Sequence, residues 1–290
     1  APQKQPPLHQ GLHQPRDAAR TQTVIYKIST ESRMNVVRRN IDQQKIMNDT
    51  RNYELTIIIP VFNEEDNMKR VEEKIAAFVG HAPMKTCVLL VNDGSKDSSL
   101  KAIREICKRQ PHFYYISSSE NHGLSTAMKA GIDAAESRYV GYIDADLQTD
   151  PEDFAELLKF APDYQLVSGI RANRKDSAFK RLQSKIANGF RRKMTGDTAT
   201  DTGCPLKVMW TSYAKRLPFF DGMHRFLPAL MMLEEGKFKE VPVRHYPRIA
   251  GVSKYHLWNR LKGPFLDCFA YRWMKKRYIK YHIDEENING

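Results

Sequence analysis

The sequence predicts an α/β fold: a doubly wound, mostly parallel sheet of Rossmann-like type, followed by a basic C-terminal helical segment. Three observations carry this expectation. Apolar, β-branched runs alternate strictly with amphipathic stretches from Leu55 to Ile170. The runs are continuous rather than alternating, as strands buried on both faces of a parallel sheet must be. The polar motifs fall where those runs end. Open α/β sheets bind their ligands at the carboxyl ends of strands, near the point where strand order reverses.

LTIIIPV (55–61) reads as the first strand, and 64–79 as the amphipathic helix after it. TCVLLVN (86–92), FYYISS (113–118), YVGYID (139–144) and QLVSGI (165–170) read as further strands. Helical spacing occupies the intervals at 98–109, 123–137 and near 151–160. Beyond residue 175 the regularity loosens. A basic helix is expected over 177–194, a strand over CPLKVMW (204–210) and a helix around His224–Glu235. The strand FKEVPVRHY (238–246) then runs into the loop PRIAGVSKY (247–255).

The 290 residues are 41% hydrophobic and 28% charged, which provides a packed core and excludes wholesale disorder. Residues 1–24 are rich in Gln, Pro and His and lack apolar periodicity, so they are expected to be disordered. The expected division is a leader over 1–52, an α/β domain over 53–257 and a basic, aromatic segment over 258–290. The four cysteines are scattered without a CxxC pair, which argues against a disulfide framework and for a reducing compartment. No apolar run approaches the roughly 18 residues of a membrane span. Lys and Arg number 46 against 34 Asp and Glu, a net charge of +12. That balance calls for an anionic partner: nucleic acid, an acidic membrane surface or a phosphorylated substrate. No helix-turn-helix, RNP-like or zinc pattern supports nucleic acid.

The first strand ends in Pro60-Val61-Phe62-Asn63-Glu64-Glu65. Pro stops the strand and Asn63 is placed to cap the next helix; the same turn also suits a nucleotide cradle. The second strand ends in Asp93-Gly94-Ser95, which is either a turn or an Asp placed to accept a hydrogen bond from a base. Asp144-Ala145-Asp146-Leu147-Gln148 is the strongest feature. Two carboxylates at i and i+2 on a bending strand end reach one hard divalent cation, with Gln148 as a neutral oxygen ligand. Arg171 and Arg174 follow the fifth strand, where they form either a diphosphate clamp or a solvated basic loop. Cys204 reads as a small buried residue rather than a nucleophile. His224 is either an acceptor-side contact or part of a packing helix. Arg248, Ser253 and Lys254 put two cations and a hydroxyl on one loop, a suitable phosphate holder.

Taken in order, PVFNEE, VNDGSKDSS, ENHGLSTAMKAG, DADLQTDPED, SGIRANRKDS, DTGCPLK and HYPRIAGVSKY resemble the family 2 glycosyltransferases. The likeness is to the polyprenyl-phosphate branch, which includes dolichyl-phosphate mannose synthase and the undecaprenyl-phosphate sugar transferases, and it covers about residues 53–262. It implies a GT-A fold, a UDP- or GDP-linked sugar donor, a polyprenyl phosphate acceptor and an inverting transfer. It places Pro60, Asn63, Glu64, Asp93, Gly94 and Asp144 at the donor, and Mg²⁺ or Mn²⁺ at Asp144, Asp146 and Gln148. Asp146, Arg171 and Arg248 become the catalytic candidates, and Arg248, Ser253 and Lys254 hold the acceptor phosphate. A phosphate acceptor is already largely ionised near neutral pH, which accounts for the lack of an evident general base. A family 2 enzyme acting on a polysaccharide is the alternative. The processive synthases carry QxxRW, and the nearest string here, Phe269-Ala270-Tyr271-Arg272-Trp273, lacks the Gln.

The tail fits a lipid acceptor. Seven Lys or Arg and a single acidic residue lie between Trp258 and Lys280, interleaved with Trp258, Leu261, Phe265, Leu266, Phe269, Tyr271, Trp273 and Tyr278. This composition suits an interfacial helix on an anionic leaflet, so peripheral attachment at the cytosolic face is expected.

Overall fold

The structure is a computed structural model and describes residues 45–171, 178–247 and 259–280, with side chains described over 45–171, 186–247 and 263–280. The elements below belong to one compact unit, Ile46–Gly290. Its first residues pack at once: Ile46 rests on the core, and the buried Thr50 hydroxyl accepts the Glu136 N–H at 3.0 Å.

The strands are β1 (Leu55–Val61), β2 (Thr86–Asp93), β3 (Phe113–Ser118), β4 (Tyr139–Tyr142), β5 (Leu166–Arg171), β6 (Lys207–Trp210) and β7 (Phe238–Val243). The helices are α1 (Glu65–His81), α2 (Ser99–Arg109), α3 (Leu124–Ala134), α4 (Phe154–Leu158), α5 (Ala178–Thr195), α6 (Thr211–Arg216), α7 (Leu227–Leu233) and α8 (Asn259–Arg277). The sheet order is β3-β2-β1-β4-β6-β5-β7. All neighbouring pairs are parallel except those of β6, which runs against both β4 and β5.

Two apolar cores lie on the two faces of the sheet, as double winding requires. Alternate residues of β1 sort between them: Leu55, Ile57, Ile59 and Val61 to one, Ile58 to the other. Met68, Val71, Ile75 and Phe78 recur along α1 at helical spacing and fill the first core with α2 and α4. The second core takes α3, α6, α7 and the inner face of α8. Each fully buried Ile, Leu or Phe contributes about 1.5–3 kcal/mol through removal from water.

The boundaries differ from expectation in four places. β4 stops at Tyr142, so the acidic motif leaves the sheet two residues early. β6 starts at Lys207, because Pro205 has no N–H to give a ladder. The helix expected at His224–Glu235 is a 3₁₀ turn (Met223–Arg225) and then α7, whose first turn holds Pro228. The short α6 had no periodic signal.

Between α5 and β6 a buried ion pair closes the turn. Arg191 Nη1 lies 2.7 Å from both oxygens of Asp197, and its Nη2 donates to the Ala199 carbonyl at 2.6 Å. Asp197 also accepts the Thr195 hydroxyl at 2.6 Å and the Ala199 N–H at 2.8 Å. Removing one member strands the other charge in the interior. Asp197→Ala is therefore expected to lower unfolding free energy by about 3 kcal/mol or more, read by urea denaturation.

Candidate active site

β1 is paired along its length with β2 but with β4 only as far as Ile58 opposite Tyr142. From β1 the chain winds outward to β2 and β3 on one side, while β4 lies on the other. The strands therefore part at their carboxyl ends, and the motifs read from the sequence stand around that parting. Pro60 is in this stretch. The Ile58 carbonyl accepts the Ile143 N–H at 3.3 Å, so Pro60, two residues on, faces the β4 side where pairing has ended.

The loops after β1 and β2 bind each other. Asn63, at φ 50°, accepts the Lys96 N–H on Oδ1 at 2.7 Å and donates its own N–H to Ser95 Oγ at 3.0 Å. The Glu64 N–H reaches Ser99 Oγ at 2.9 Å, and Glu65 accepts the Ser98 N–H at 2.8 Å. Asn63 does not cap α1; Glu64 stands at that position. Its short polar side chain, which tolerates positive φ, ties two loops instead.

Asp93 is buried at the end of β2. Its Oδ1 accepts the His122 N–H at 2.8 Å, and its Oδ2 accepts the Gly123 N–H at 2.8 Å and Asn121 Nδ2 at 2.7 Å. The carboxylate thus pins the loop that opens α3, with its charge near the positive end of that helix. Gly94 follows at φ 66°, and a Cβ there would lie 2.2 Å from the Glu120 carbonyl carbon. Only glycine permits this approach of two backbones.

After β4 the chain turns sharply, the Asp144 carbonyl accepting the Leu147 N–H at 3.1 Å with Leu147 at φ 44°. An apolar residue in the left-handed region is a strained local state held by its surroundings. Asp144 accepts the Tyr142 hydroxyl at 2.5 Å. Asp146, 6% exposed, accepts the Gln148 N–H at 3.3 Å, and its carbonyl accepts Arg70 Nη2 from α1. Beyond the turn, Tyr246 N–H donates to the Gln148 carbonyl at 2.7 Å, and Thr149 bridges His245. Arg244 adds a bond from Nε to Asp153 at 2.9 Å and an ion pair with Asp150 at 3.0 Å. The TDPED run therefore anchors the end of β7 beside the acidic turn. Arg248, Ser253 and Lys254, along with Arg174, lie outside the described residues.

Arg171, at the end of β5, is bidentate on Asp201, with Nε at 2.9 Å and Nη2 at 2.7 Å; its N–H takes the same carboxylate at 3.1 Å. The pair joins β5 to the loop before β6. Cys204 is buried, and burial pushes its thiol above the usual range, so it is a packing residue. His224 Nδ1 is 3.1 Å from Ser125 Oγ, which also accepts the Gly222 N–H at 3.0 Å. Burial pushes the imidazole down to about 3, so it is neutral at physiological pH and is not a base poised near neutrality.

The sequence reading missed Arg70, Tyr142, Asp201, Arg244 and Lys207 as parts of this site. Asp201 and Lys207 sat in a quoted motif without a role. Arg70 carried no signal, since it acts from a helix face 76 residues away from Asp146.

The metal candidates Asp144, Asp146 and Gln148 have the donor chemistry of a hard divalent cation, oxygen only, two of them anionic. Among the described residues no group of three or more His, Cys, Asp or Glu is arranged to hold a metal. Mg²⁺ is commonly bound by one or two carboxylates together with substrate phosphates rather than by a protein cage.

The His224 environment fixes a pH response. The unfolded chain binds a proton near 6.5 and the folded one only near 3, so stability falls as pH drops through that interval. His224→Gln should make the decline of Tm between pH 7 and 4 shallower, as measured by calorimetry.

Residues 56–217 match the family model described as Glycosyl transferase family 2. A dodecaprenyl-phosphate galacturonate synthase of Rhizobium johnstonii is 35% identical over 208 residues, 70% of this chain and 62% of that protein. An undecaprenyl-phosphate 4-deoxy-4-formamido-L-arabinose transferase of Edwardsiella ictaluri is 32% identical over 205 residues, 70% of this chain and 63% of that protein. The chain thus spans less than two thirds of the length of these relatives. Among solved structures, glucosyl-3-phosphoglycerate synthase of Mycobacterium tuberculosis with Mn²⁺, UDP-glucose and phosphoglyceric acid superposes with a TM-score of 0.56. It is 13% identical and covers 82% of this chain and 85% of that one. A mannosyltransferase of Pyrobaculum calidifontis with GDP-Man and Mn²⁺ gives 0.53 at 18% identity, covering 79% and 65%. These likenesses give the GT-A fold, and the family model, covering more than half of the chain, gives its affiliation: the chain belongs to glycosyl transferase family 2.

Proposed function

We propose that the chain transfers a sugar, with inversion, from a nucleotide sugar to a polyprenyl phosphate. The observation that carries this reading is the Asp144–Asp146 turn at the parting of β1 and β4, in a chain whose curated relatives are named for polyprenyl phosphates and sugars. The Mn²⁺ complexes of the solved neighbours, one with UDP-glucose and one with GDP-Man, support a metal-assisted nucleotide-sugar donor.

Asp144, Asp146 and Gln148 would hold Mg²⁺ or Mn²⁺, and such a cation supplies charge neutralisation to the departing diphosphate. The other residues position. Asp93 and Gly94 fix the floor on which the nucleotide lies, with Pro60, Asn63 and Glu64 forming its other wall. Arg171, locked on Asp201, keeps the β5 edge in register with the acidic turn. Arg248, Ser253 and Lys254 take the acceptor phosphate, and Arg248 shields its charge. A phosphate oxygen attacks the anomeric carbon from the face opposite the diphosphate. The bond to the diphosphate breaks, and the nucleoside diphosphate leaves. Because the acceptor is already anionic, no side chain needs to abstract a proton.

The acceptor is a membrane lipid, and α8 supplies the means of reaching it. One face is buried, with Tyr271 fully enclosed and its hydroxyl donating to the Ala229 carbonyl at 2.9 Å. Tyr271 is thus a core residue, not the interfacial one expected. The other face exposes Phe265 (50%), Leu266 (65%), Phe269 (50%) and Trp273 (64%). Arg272, Lys276 and Arg277 are exposed among them. Among the described residues no helix is long and apolar enough to cross a membrane. An apolar, aromatic and cationic face complements an anionic bilayer surface, each basic residue contributing about 1 kcal/mol. We assign this surface to the cytosolic leaflet, where nucleotide sugars are available.

Two measurements check the reading. Incubation with a panel of UDP- and GDP-sugars, undecaprenyl phosphate and Mn²⁺ should give a glycosylated lipid by mass spectrometry. Asp146→Ala should cut that product at least ~10²-fold with an unchanged circular dichroism spectrum. No product from any donor, with polysaccharide labelled instead, would reassign the acceptor. The protein should also float with anionic vesicles and be partly released by salt. Leu266→Ser with Trp273→Ser should reduce flotation while sparing transfer to a short, water-soluble polyprenyl phosphate.

A further inference from the structure

Lys207 is the most anomalous residue of the interior. It is 2% exposed, at the first position of β6 in the middle of the sheet. Among the described residues its hydrogen bond is to the Cys204 carbonyl, and it has no ion pair with a carboxylate. An ammonium so placed is costly, and a Met of similar length would fill the space without that cost. Burial accordingly pushes Lys207 below the usual lysine range, while Cys204, Asp201 and Asp144 oppose the shift.

Its position explains why it is there. β6 is antiparallel to its neighbours, so its first residue lies at the carboxyl end of β4 and midway along β5. Lys207 stands opposite Tyr142 of β4 and Ser168 of β5. Tyr142 donates to Asp144, and Ser168 precedes by three residues the Arg171 that is locked on Asp201. Lys207 therefore lies between the acidic turn and the Arg171–Asp201 pair, sealed from solvent. Its charge also acts on His224, helping Arg225 and burial to keep that ring neutral.

We propose that Lys207 is a positioning residue whose buried charge sets the electrostatic selectivity of the acidic turn. It lowers the affinity of Asp144 and Asp146 for a bare divalent cation and raises that for the cation together with a nucleoside diphosphate. The reasoning is charge balance and rests on the proposed function. Two carboxylates alone favour a dication. The departing diphosphate brings more negative charge than the dication offsets, and a fixed positive charge beneath the site favours the ternary state. Because the charge is buried, salt screens it little.

The test is a split in sign. Lys207→Met should bind Mn²⁺ alone about threefold to tenfold more tightly and bind UDP or GDP in the presence of Mn²⁺ about threefold to tenfold more weakly, both read by calorimetric titration. Its Tm should equal or exceed that of the unaltered chain, because a buried charge has been removed. Lys207→Gln keeps a donor for the Cys204 carbonyl but not the charge, and should behave like Lys207→Met. If Lys207→Gln matches the unaltered chain, the residue only anchors Cys204 and the proposal fails. Changes of the same sign in both affinities, or a Lys207→Met chain that does not fold, also overturn it by making Lys207 part of the frame. If the unaltered chain binds neither Mn²⁺ nor a nucleoside diphosphate, it is the reading of the site that fails.

Discussion

The site depends on a place where pairing stops. β1 keeps its ladder with β2 to its last residue and releases β4 after Ile58 and Tyr142. Had that ladder continued, Pro60 would have left a gap in it and Asp144 would have been a strand residue. Because it stops, β4 turns away within the next residues. The two carboxylates of the turn then stand at the edge of a sheet whose other loops converge there. The parting of β1 and β4 is thus bound up with strand order and with a proline that has no N–H to continue the ladder.

Around that opening, negative charge is placed and then held. Asp93 is bound by three N–H groups, Asp201 by Arg171, and Asp150 and Asp153 by Arg244. Each of these carboxylates is committed to a loop. They fasten, respectively, the start of α3, the approach to β6 and the end of β7. Asp144 accepts the Tyr142 hydroxyl and Asp146 the Gln148 N–H, so the acidic turn also braces itself through bonds two residues back and two residues on.

Much of the frame was legible because burial on both faces leaves a continuous apolar run, and no other element of that length looks the same. β1 and β2, buried almost throughout, therefore matched to within a residue; β3, a partly buried edge strand, matched as well. A proline near the start of an apolar run misled in one place: Cys204-Pro205-Leu206 reads as strand, and β6 begins only at Lys207. Short elements such as α6 complete too few turns to show a period. The acidic turn was legible as a pattern at a strand end. Its supports were not, since Arg70, Arg171 and Arg244 find their partners across 76, 30 and 91 residues. Composition shows that cations exist but not where the chain brings them. Asn63 shows the same limit at close range. Its sequence position is that of a helix cap, and the nearness of the β2 loop, a tertiary fact, redirects it.

α8 illustrates how one stretch of sequence can serve both a buried and an exposed face. Its aromatic residues do not fall on one stripe. Cys268 and Tyr271 enter the second core, while Phe265, Leu266, Phe269 and Trp273 face outward. Phe190 of α5 stacks on Phe265 at 5.1 Å, which supports one end of the outer row without covering it. A helix apolar on both sides in a water-facing position needs a second apolar phase, or its exposed face is a liability. The cations Arg272, Lys276 and Arg277, exposed among these aromatics, suit a phase whose surface is anionic. On the proposed function, packing on the core and docking on a bilayer would thus be two faces of one helix, the inner face fixing the angle at which the outer one meets the membrane.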